Sequence, residues 1–437
     1  MDTYDEFVES GYISIMEYFD DSDELLLFDL KEELFSEHEV SSRKGSQPGR
    51  KNVNRDFNMG YDRLVADYFA ESPVYDEIKF CRRFRMPRTM FLRILKDVEN
   101  KNDYFKLRSN AAGTPGLTGL QKCVAAVRML AYGIAADAVD EYVRIGASTA
   151  MESLRNFCTT VVEVYGDIYL RVPNNEDIRK IVIENESRGF PGMLGSIDCM
   201  HWEWGNCPVA FKGQYVGKDA KPTVVLEAIA SYDTHIWHCF FGMPGSCNDI
   251  NVVDRSPILN NIVNGKILKV EYILNGTKRD RGYFLADGIY PDWPVFMKTV
   301  SHPSNNKEKL FAKKQEAARK DVERAFGILK KCWHILTHPC RLWDVPTMTN
   351  VMQACIILHN MRIEYHCNMD NILQDDSETI PHTHRSMENC PKSIITSVPP
   401  GTFAQFCAER MDMKNTAECA SLRKDLIDHV WSHQGSV

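Results

Sequence analysis

Two aspartates interrupt segments that are otherwise typical of buried strands. Asp198 lies within LGSIDCMHW and Asp287 lies within YFLADGIYP. An unpaired buried charge costs several kcal/mol, and converging carboxylates repel each other unless a cation lies between them. Oxygen ligands of this kind suit Mg²⁺ or Mn²⁺. The two aspartates therefore predict a divalent-metal site.

A third acid, Glu323, lies on a segment of helical periodicity, with 35 residues between it and Asp287. Arg319, Glu323 and Lys330 follow at intervals of four and seven positions, which puts them within a stripe roughly 40° wide on one helix face. Taken alone, a glutamate between two cations is more simply a surface salt-bridge ladder. Beside two strand-borne aspartates, the pattern favours a third metal ligand flanked by phosphate-binding cations.

The elements that must position these acids change in type along the chain. Residues 61–162 have helical periodicity, for example in PRTMFLRILKDVEN and GLQKCVAAVRMLAYGI. From Gly189 onward strands alternate with turns, and a hairpin is predicted to fold at Ser231–Thr234. Two helices, KLFAKKQEAARKDVERAFGILKKCWHIL and TNVMQACIILHNMRI, follow the strands. This order predicts an α/β domain.

The predicted organisation has four parts. We predict an acidic and then basic disordered arm at 1–55 and an all-helical N-terminal domain at 56–170. An α/β domain follows at 175–366. Residues 367–437 are predicted to form a polar loop (368–398) and C-terminal helices. Within the helical domain, DEYVRIGASTAMESLRNF is a candidate helix-turn-helix with its turn at Gly146 and a cap at Ser148 or Thr149. Plain helix packing is the alternative interpretation of that segment.

The net charge of −8 conceals an uneven distribution. Residues 1–40 carry −13, because Lys31 is their single basic residue, so that the remaining chain carries +5. Residues 41–55, SSRKGSQPGRKNVNR, are basic and rich in helix breakers; they are either a solvated linker or a phosphate-contacting arm and nuclear import signal. The chain contains no run of 18 apolar residues, so we expect no membrane span.

The 14 cysteines include no C-x-x-C pair, which favours buried thiols in a reducing compartment over a disulfide framework. One group, Cys332, His334, His338 and Cys340, has spacings that could bind zinc. The interleaved Trp333, Ile335 and Leu336 favour a buried helix end instead.

Several segments resemble one transposase family. In order, GSIDCMHWEW, GSCNDINVV, YFLADGIYP and RKDVERAFGILK resemble the nuclease domain of PIF/Harbinger transposases, especially the plant branch of this DDE superfamily. The resemblance extends over about residues 58–365. Arg319-x3-Glu323-x6-Lys330 also resembles the signature of related bacterial insertion-sequence transposases, although the aromatic residue that precedes it there is replaced here by Glu316.

The resemblance implies an RNase H-like fold, a mixed sheet flanked by helices, in which Asp198, Asp287 and Glu323 are catalytic metal ligands. Asp249 matches a further acidic position of the family, as a metal ligand or as a residue just behind the ligands. Its alternative interpretation is a turn or helix cap, because it follows Gly245 and precedes an apolar run. Arg319 and Lys330 would bind DNA phosphates or the glutamate itself.

Three functions are compatible with this sequence. The first is a transposase that cleaves transposon-end DNA and joins it to a target; the second is a domesticated host protein that binds DNA or chromatin; the third is a host nuclease that does not transpose. Terminal inverted repeats flanking the gene would favour the first. The family further implies double-stranded DNA as substrate and a separate Myb-like accessory protein that helps the transposase reach the nucleus. A homo-oligomer and an additional cytoplasmic pool are compatible with the sequence.

Overall fold

The computed structural model describes residues 53, 55–109, 111, 113, 115–217, 220–258, 269–375, 395–396 and 415–434, with side chains of 269, 366–375, 395–396 and 434 excluded. The acidic segment 1–40, most of the basic segment 41–55, and the predicted helix in PGTFAQFCAERMDM lie outside these residues. Of the helices in the described ranges, none is long and apolar enough to cross a membrane.

The first part of the described chain is helical, as its periodicity predicts. Its helices are α1 Phe57–Leu64 continued by the π-helical Val65–Phe69, α2 Glu77–Phe84, α3 Arg88–Lys101, α4 Gly119–Tyr132, α5 Asp140–Val143, α6 Ala147–Tyr169 and α7 Asn175–Ser187, with 3₁₀ turns at Asp103–Phe105 and Ala136–Val139. Capping boxes begin α4 and α7, where Thr118 pairs with Gln121 and Asn174 pairs with Asp177.

The candidate helix-turn-helix is not confirmed. α5 is a single turn of four residues, and α6 begins after Gly146 without a side-chain cap. The predicted cap at Ser148 or Thr149 is therefore wrong, because the helix already starts at Ala147. α6 packs against α3, α4 and the later helix Val345–Asp375. These contacts bury much of its surface, including Leu154 and Phe157.

A five-strand mixed sheet flanked by helices forms the centre of the described chain. Its order is β3-β2-β1-β7-β8, with β1–β2 and β2–β3 antiparallel and β1–β7 and β7–β8 parallel. The strands are β1 Met193–Glu203, β2 Thr223–Ala230, β3 Ile236–Pro244, β7 Tyr283–Leu285 and β8 Phe296–Met297. The predicted β2–β3 hairpin and the strand around Asp198 are confirmed.

Shorter elements connect these strands and follow them. They are α8 Val209–Tyr215, α9 Asp249–Arg255, β4 Lys269–Val270, β5 Tyr272–Leu274, β6 Thr277–Arg279, α10 Asn306–Cys332, a 3₁₀ turn His334–Thr337, α11 Val345–Asp375, β9 Ile395–Thr396 and α12 Thr416–Gln434. Both predicted long helices and the helix in SLRKDLIDHVW are confirmed. α11 continues through Asp375, however, so the predicted loop beginning at 368 is wrong for residues 368–375.

A bulge near the start of β1 sets the course of the strand toward Asp198. The register of β1 with β7 shifts between Met193 and Gly195. Gly195 has φ +149°, and a Cβ atom there would lie 2.7 Å from the carbonyl oxygen of Ala230. Only glycine therefore fits this close approach of β1 to β2.

Three polar contacts hold α10 against the sheet. Ser196 Oγ donates to the carbonyl oxygen of Ala318 at 3.0 Å. Gln315 Nε2 donates to the carbonyl oxygens of Ala286 and Met297, at 3.3 and 3.0 Å, which lie at the ends of β7 and β8. These bonds fix the helix that carries Arg319 and Glu323 relative to the strands that carry the two aspartates.

Candidate acidic site

Asp198 lies on the sheet face that packs against α10. Its Oδ1 accepts a hydrogen bond from the backbone N–H of Cys199 at 2.9 Å, and its side chain is 17% exposed. Burial raises the pKa of Asp198 to about 6; the Cys199 N–H and the Arg319 guanidinium oppose this rise, while Glu323 and Asp249 add to it. A carboxylate in this state is poorly stabilised as an anion and would gain from a further cation.

Arg319 links Asp198 to Glu323. Its Nη1 lies 3.5 Å from Asp198 Oδ2 and 2.9 Å from Glu323 Oε1. The guanidinium is mostly buried, with 17% of the side chain exposed, whereas Glu323 is 42% exposed. The structure therefore brings together three of the residues that the sequence predicts, and Arg319 supplies the positive charge between two carboxylates.

Asp249 is the first residue of α9 and is half-buried. The cap of that helix is Asn248, whose Oδ1 accepts from the backbone N–H of Asn251 at 2.9 Å. The helix-cap interpretation thus applies to Asn248, the residue immediately before Asp249. Its charge is one of the causes of the raised pKa of Asp198, so the two carboxylates interact.

Asp287 is exposed and lies two residues beyond the end of β7. Ser196 pairs with Leu285 in the parallel β1–β7 ladder, so Asp198 and Asp287 each follow this last pair by two residues. The Asp287 Oδ1 accepts from the N–H of Ile289 at 3.3 Å. The loop that follows is held by Lys298, whose Nζ donates to the carbonyl oxygen of Tyr290 at 2.9 Å.

Lys330 is half-buried on the same helix as Glu323, and burial lowers its pKa. Seven residues of α-helix separate the two along the axis by about 10 Å. Lys330 therefore lies further along α10 than the group formed by Asp198, Arg319 and Glu323.

The fit of these residues to a divalent cation is good in donor type and incomplete in geometry. All four candidate ligands are carboxylates, which hard cations prefer, and the raised pKa of Asp198 marks a group whose anionic form lacks stabilisation. In the described ranges, however, no three His, Cys, Asp or Glu side chains converge as a metal site. Arg319 lies between two of the acids where a cation would bind.

The zinc interpretation gains no support from the part of the chain that the structure describes, since no such cluster is found there. Cys332 is buried at the end of α10. Cys340 is also buried, and its backbone forms an isolated β-bridge with that of Trp204. Trp202 and Trp204 are buried core residues that donate to backbone carbonyls of His338 and Leu342. The alternative interpretation of this group, a buried helix end, agrees with the burial of Cys332 and Cys340.

Sequence reasoning missed one buried acid near this site. Glu227 lies in β2, is 0% exposed, and accepts a hydrogen bond from Ser256 Oγ at 2.6 Å. A signal for it was present, because TVVLEAIA places a carboxylate in an apolar strand just as LGSIDCMHW does at Asp198. The same argument that identified Asp198 applies to Glu227.

Comparison with known proteins gives two family matches. Residues 60–99, which include most of α1 to α3, match the model of a domain of unknown function. No curated protein and no solved structure matches the chain. Residues 167–370 match the model of a family described as plant transposon protein, a range that contains the sheet and each of the candidate acids. This match supports a relationship between that part of the chain and plant transposases.

Proposed function

We propose that the protein is a metal-dependent DNA transposase of the PIF/Harbinger type with an RNase H-like catalytic domain. The observation that carries the proposal is the group of Asp198, Arg319 and Glu323, with Asp287 at the matching end of the neighbouring parallel strand. The match of residues 167–370 to plant transposon proteins supports it, as does the mixed sheet flanked by helices.

The acids would hold the cofactor and the cations would hold the substrate. Asp198, Asp287 and Glu323, with Asp249 beside them, would bind Mg²⁺ or Mn²⁺, which supplies Lewis-acid stabilisation of the attacking and leaving oxygens. Arg319 presents a guanidinium that can bind a phosphate in place of a carboxylate. Of the two carboxylates that contact Arg319, Glu323 is the more exposed. Its side chain is therefore the one that can more readily rotate away to free the guanidinium.

The reaction itself is an in-line displacement at phosphorus. A water oxygen bonds to the phosphorus of the transposon-end phosphodiester, and the bond to the 3′ oxygen breaks, which leaves a 3′-hydroxyl and a 5′-phosphate. In strand transfer the 3′-hydroxyl attacks a phosphodiester of the target in the same way. The carboxylates and Arg319 act by orientation and electrostatics. No covalent bond to the protein forms in either step.

The proposal includes a substrate, a partner, an assembly state and a location. Double-stranded DNA with the element's terminal repeats is the substrate, a Myb-like protein assists binding and nuclear entry, and the active form is a homo-oligomer in the nucleus. Deletion of residues 1–40, which ends before α1, tests whether the acidic arm docks the accessory protein. Unchanged co-purification of the Myb-like protein would exclude the arm as its binding site.

Divalent-metal-dependent nicking of DNA tests the proposed function. The purified full-length chain, together with the Myb-like protein, is incubated with duplex DNA carrying the terminal repeats that flank its gene, with Mg²⁺, with Mn²⁺ or with EDTA. We expect site-specific nicks with either metal and none with EDTA. Glu323→Gln should lose nicking, whereas the control Glu184→Gln, an exposed acid on α7, should retain it.

Each negative result removes a defined part of the proposal. Intact DNA after incubation of the wild-type chain with metal and partner would overturn the transposase function. Nicking that is independent of divalent metal would overturn the metal mechanism. Full nicking by Glu323→Gln would remove Glu323 from the reaction while leaving a metal-dependent nuclease in place.

A further inference from the structure

A second buried polar group lies on the sheet face opposite Asp198. Ser196 contacts α10, so Asp198, two positions on, lies on the same face of β1, and Cys199 points to the other face. Cys199 pairs with Glu227 across β1–β2, and Ile229 pairs with His238 across β2–β3. Cross-strand partners share a face, and so do Glu227 and Ile229, which are two residues apart on β2. Cys199, Glu227 and His238 therefore lie together on the face opposite Asp198.

Glu227 is the centre of this group. Its Oε1 accepts from Ser256 Oγ at 2.6 Å and lies 3.1 Å from His238 Nε2. Its Oε2 is buried and has no hydrogen-bond partner in the described part of the chain. A wholly buried carboxylate with one unsatisfied oxygen is costly, so retaining it in an apolar strand calls for a role that an apolar residue could not fill.

Nucleophilic catalysis by these residues does not fit the geometry. His238 uses the same ring nitrogen, Nε2, toward both Glu227 and Ser256, at 3.1 and 3.2 Å. A catalytic triad needs the acid and the nucleophile on different nitrogens of the imidazole. Ser256 is also buried, with 2% exposure, so it is closed to a substrate.

The group does contact each element that carries an aspartate of the acidic site. Cys199 follows Asp198, and its backbone N–H binds the Asp198 carboxylate. Its Sγ lies 3.7 Å from the hydroxyl of Tyr290, whose backbone N–H donates to the carbonyl oxygen of Asp287 at 3.2 Å. Ser256 caps the C-terminal end of α9, the helix that Asp249 begins. The backbone N–H of Ser256 donates to the carbonyl oxygen of Val252.

Glu227 also faces the strand that carries Asp198. It is the cross-strand partner of Cys199, whose thiol in turn contacts the Tyr290 hydroxyl. The connection from Glu227 to the Asp287 loop therefore runs through β1, in addition to the direct bond of Glu227 to Ser256 at the end of α9.

We propose that Glu227 is a positioning residue that holds β1, the loop after β7 and α9 together, and so sets the mutual placement of Asp198, Asp287 and Asp249. The consequence for metal binding rests on the proposed function. The placement itself does not, because it concerns the metal-free chain. Ser256 is its connection to α9, and Tyr290 with Cys199 is its connection to the Asp287 loop.

Amide hydrogen exchange of the metal-free, full-length protein tests the placement. In Glu227→Gln we expect exchange to be about 10-fold faster in both residues 249–256 and residues 287–290. Ser256→Ala should accelerate only the first segment and Tyr290→Phe only the second. The control Asp97→Asn removes a similar carboxylate–hydroxyl bond, to Tyr165 at 2.6 Å, and should leave both segments unchanged.

Three results of the exchange experiment would overturn the positioning role of Glu227, and the single-contact variants decide the question if Glu227→Gln does not fold. Unchanged exchange of both segments in Glu227→Gln, or acceleration spread evenly over the whole chain, would overturn the positioning role. If Glu227→Gln does not fold, the selective effects of Ser256→Ala and Tyr290→Phe decide the question. Acceleration of the same segments by Asp97→Asn would also overturn the proposal, because the effect would then be general loosening.

Titration with Mn²⁺ tests the consequence for metal binding at the acidic site. The concentration of free Mn²⁺ is measured by its electron paramagnetic resonance signal. Glu227→Gln should bind Mn²⁺ about 10-fold more weakly than the wild type, at an unchanged melting temperature, while Asp97→Asn should bind as the wild type does. Equal Mn²⁺ affinity of Glu227→Gln and wild type would overturn the role in metal placement. A wild-type chain that binds no Mn²⁺ would instead count against the proposed function, and the exchange data would still decide the positioning.

Discussion

The two faces of the central sheet each carry a carboxylate at nearly the same level. Asp198 pairs with Ala228 and the next residue, Cys199, pairs with Glu227, so that the two acids are one row apart on neighbouring strands. Asp198 remains 17% exposed and shares a guanidinium with Glu323. Glu227 is 0% exposed and is bound by a hydroxyl and an imidazole.

This difference separates a carboxylate that solvent can reach from a carboxylate that is wholly enclosed by protein. The face with Asp198 is covered by α10 and lies beside the exposed Glu323, whereas the face with Glu227 is covered by α9 and the loop after β7. Both acids stand out equally in the sequence. Their partners, contributed by distant parts of the chain, assign them different roles.

The largest expected contrast concerns DNA cleavage. Asp198→Asn should reduce the rate of metal-dependent nicking by on the order of 10²–10³-fold, because it removes a proposed ligand. Glu227→Gln should reduce it by about 10-fold and leave residual activity. Single-turnover nicking rates at saturating metal measure both. Equal losses in the two variants would show that the faces do not differ in role.

Stability should respond in the opposite order. Glu227→Ala should lower the free energy of unfolding by about 3 kcal/mol, because the buried Ser256 hydroxyl and His238 lose their acceptor. Asp198→Asn should leave the metal-free protein at pH 8 as stable as wild type or more stable by roughly 1–2 kcal/mol, since a desolvated charge is removed. Urea unfolding at constant m measures this difference. A larger loss in Asp198→Asn than in Glu227→Ala would contradict it.

The pH dependence of stability should follow Asp198. Its pKa is about 6 in the folded chain against an ordinary value of 3.8, so the folded state binds more protons than the unfolded state between about pH 4 and pH 6. The free energy of unfolding of the metal-free protein should therefore fall by roughly 2 kcal/mol as pH rises through this window. Wild type minus Asp198→Asn isolates this contribution, and a flat difference would exclude it.

The smallest expected effect tests the shared guanidinium. Arg319 lowers the pKa of Asp198 against the effect of burial, so Arg319→Gln should raise it further and move the pH window upward. Arg319→Lys, which keeps the charge, should move it less. Carboxyl NMR titration of the metal-free protein gives the midpoints. An unchanged midpoint in Arg319→Gln would mean that Arg319 does not stabilise the Asp198 anion in solution.

Much of the secondary structure follows from local patterns. The alternation of helical and strand periodicities correctly predicts β1, the β2–β3 hairpin, α10 and the first part of α11. The start of α6 and the end of α11 were misplaced. Helix ends depend on backbone geometry and on packing against other elements, so Ser148 and Thr149, although their type favours a cap, lie inside α6.

For the site, the sequence determined which residues carry charge in apolar surroundings: Asp198, Asp287 and, though overlooked, Glu227. Only the tertiary structure decided their surroundings, because burial and partners come from far along the chain. Arg319 reaches Asp198 across 121 residues of sequence, and Ser256 reaches Glu227 across 29. The energy of a buried carboxylate depends on those partners and on the face of the strand it occupies. Periodicity shows that faces alternate, but it does not show what covers each one.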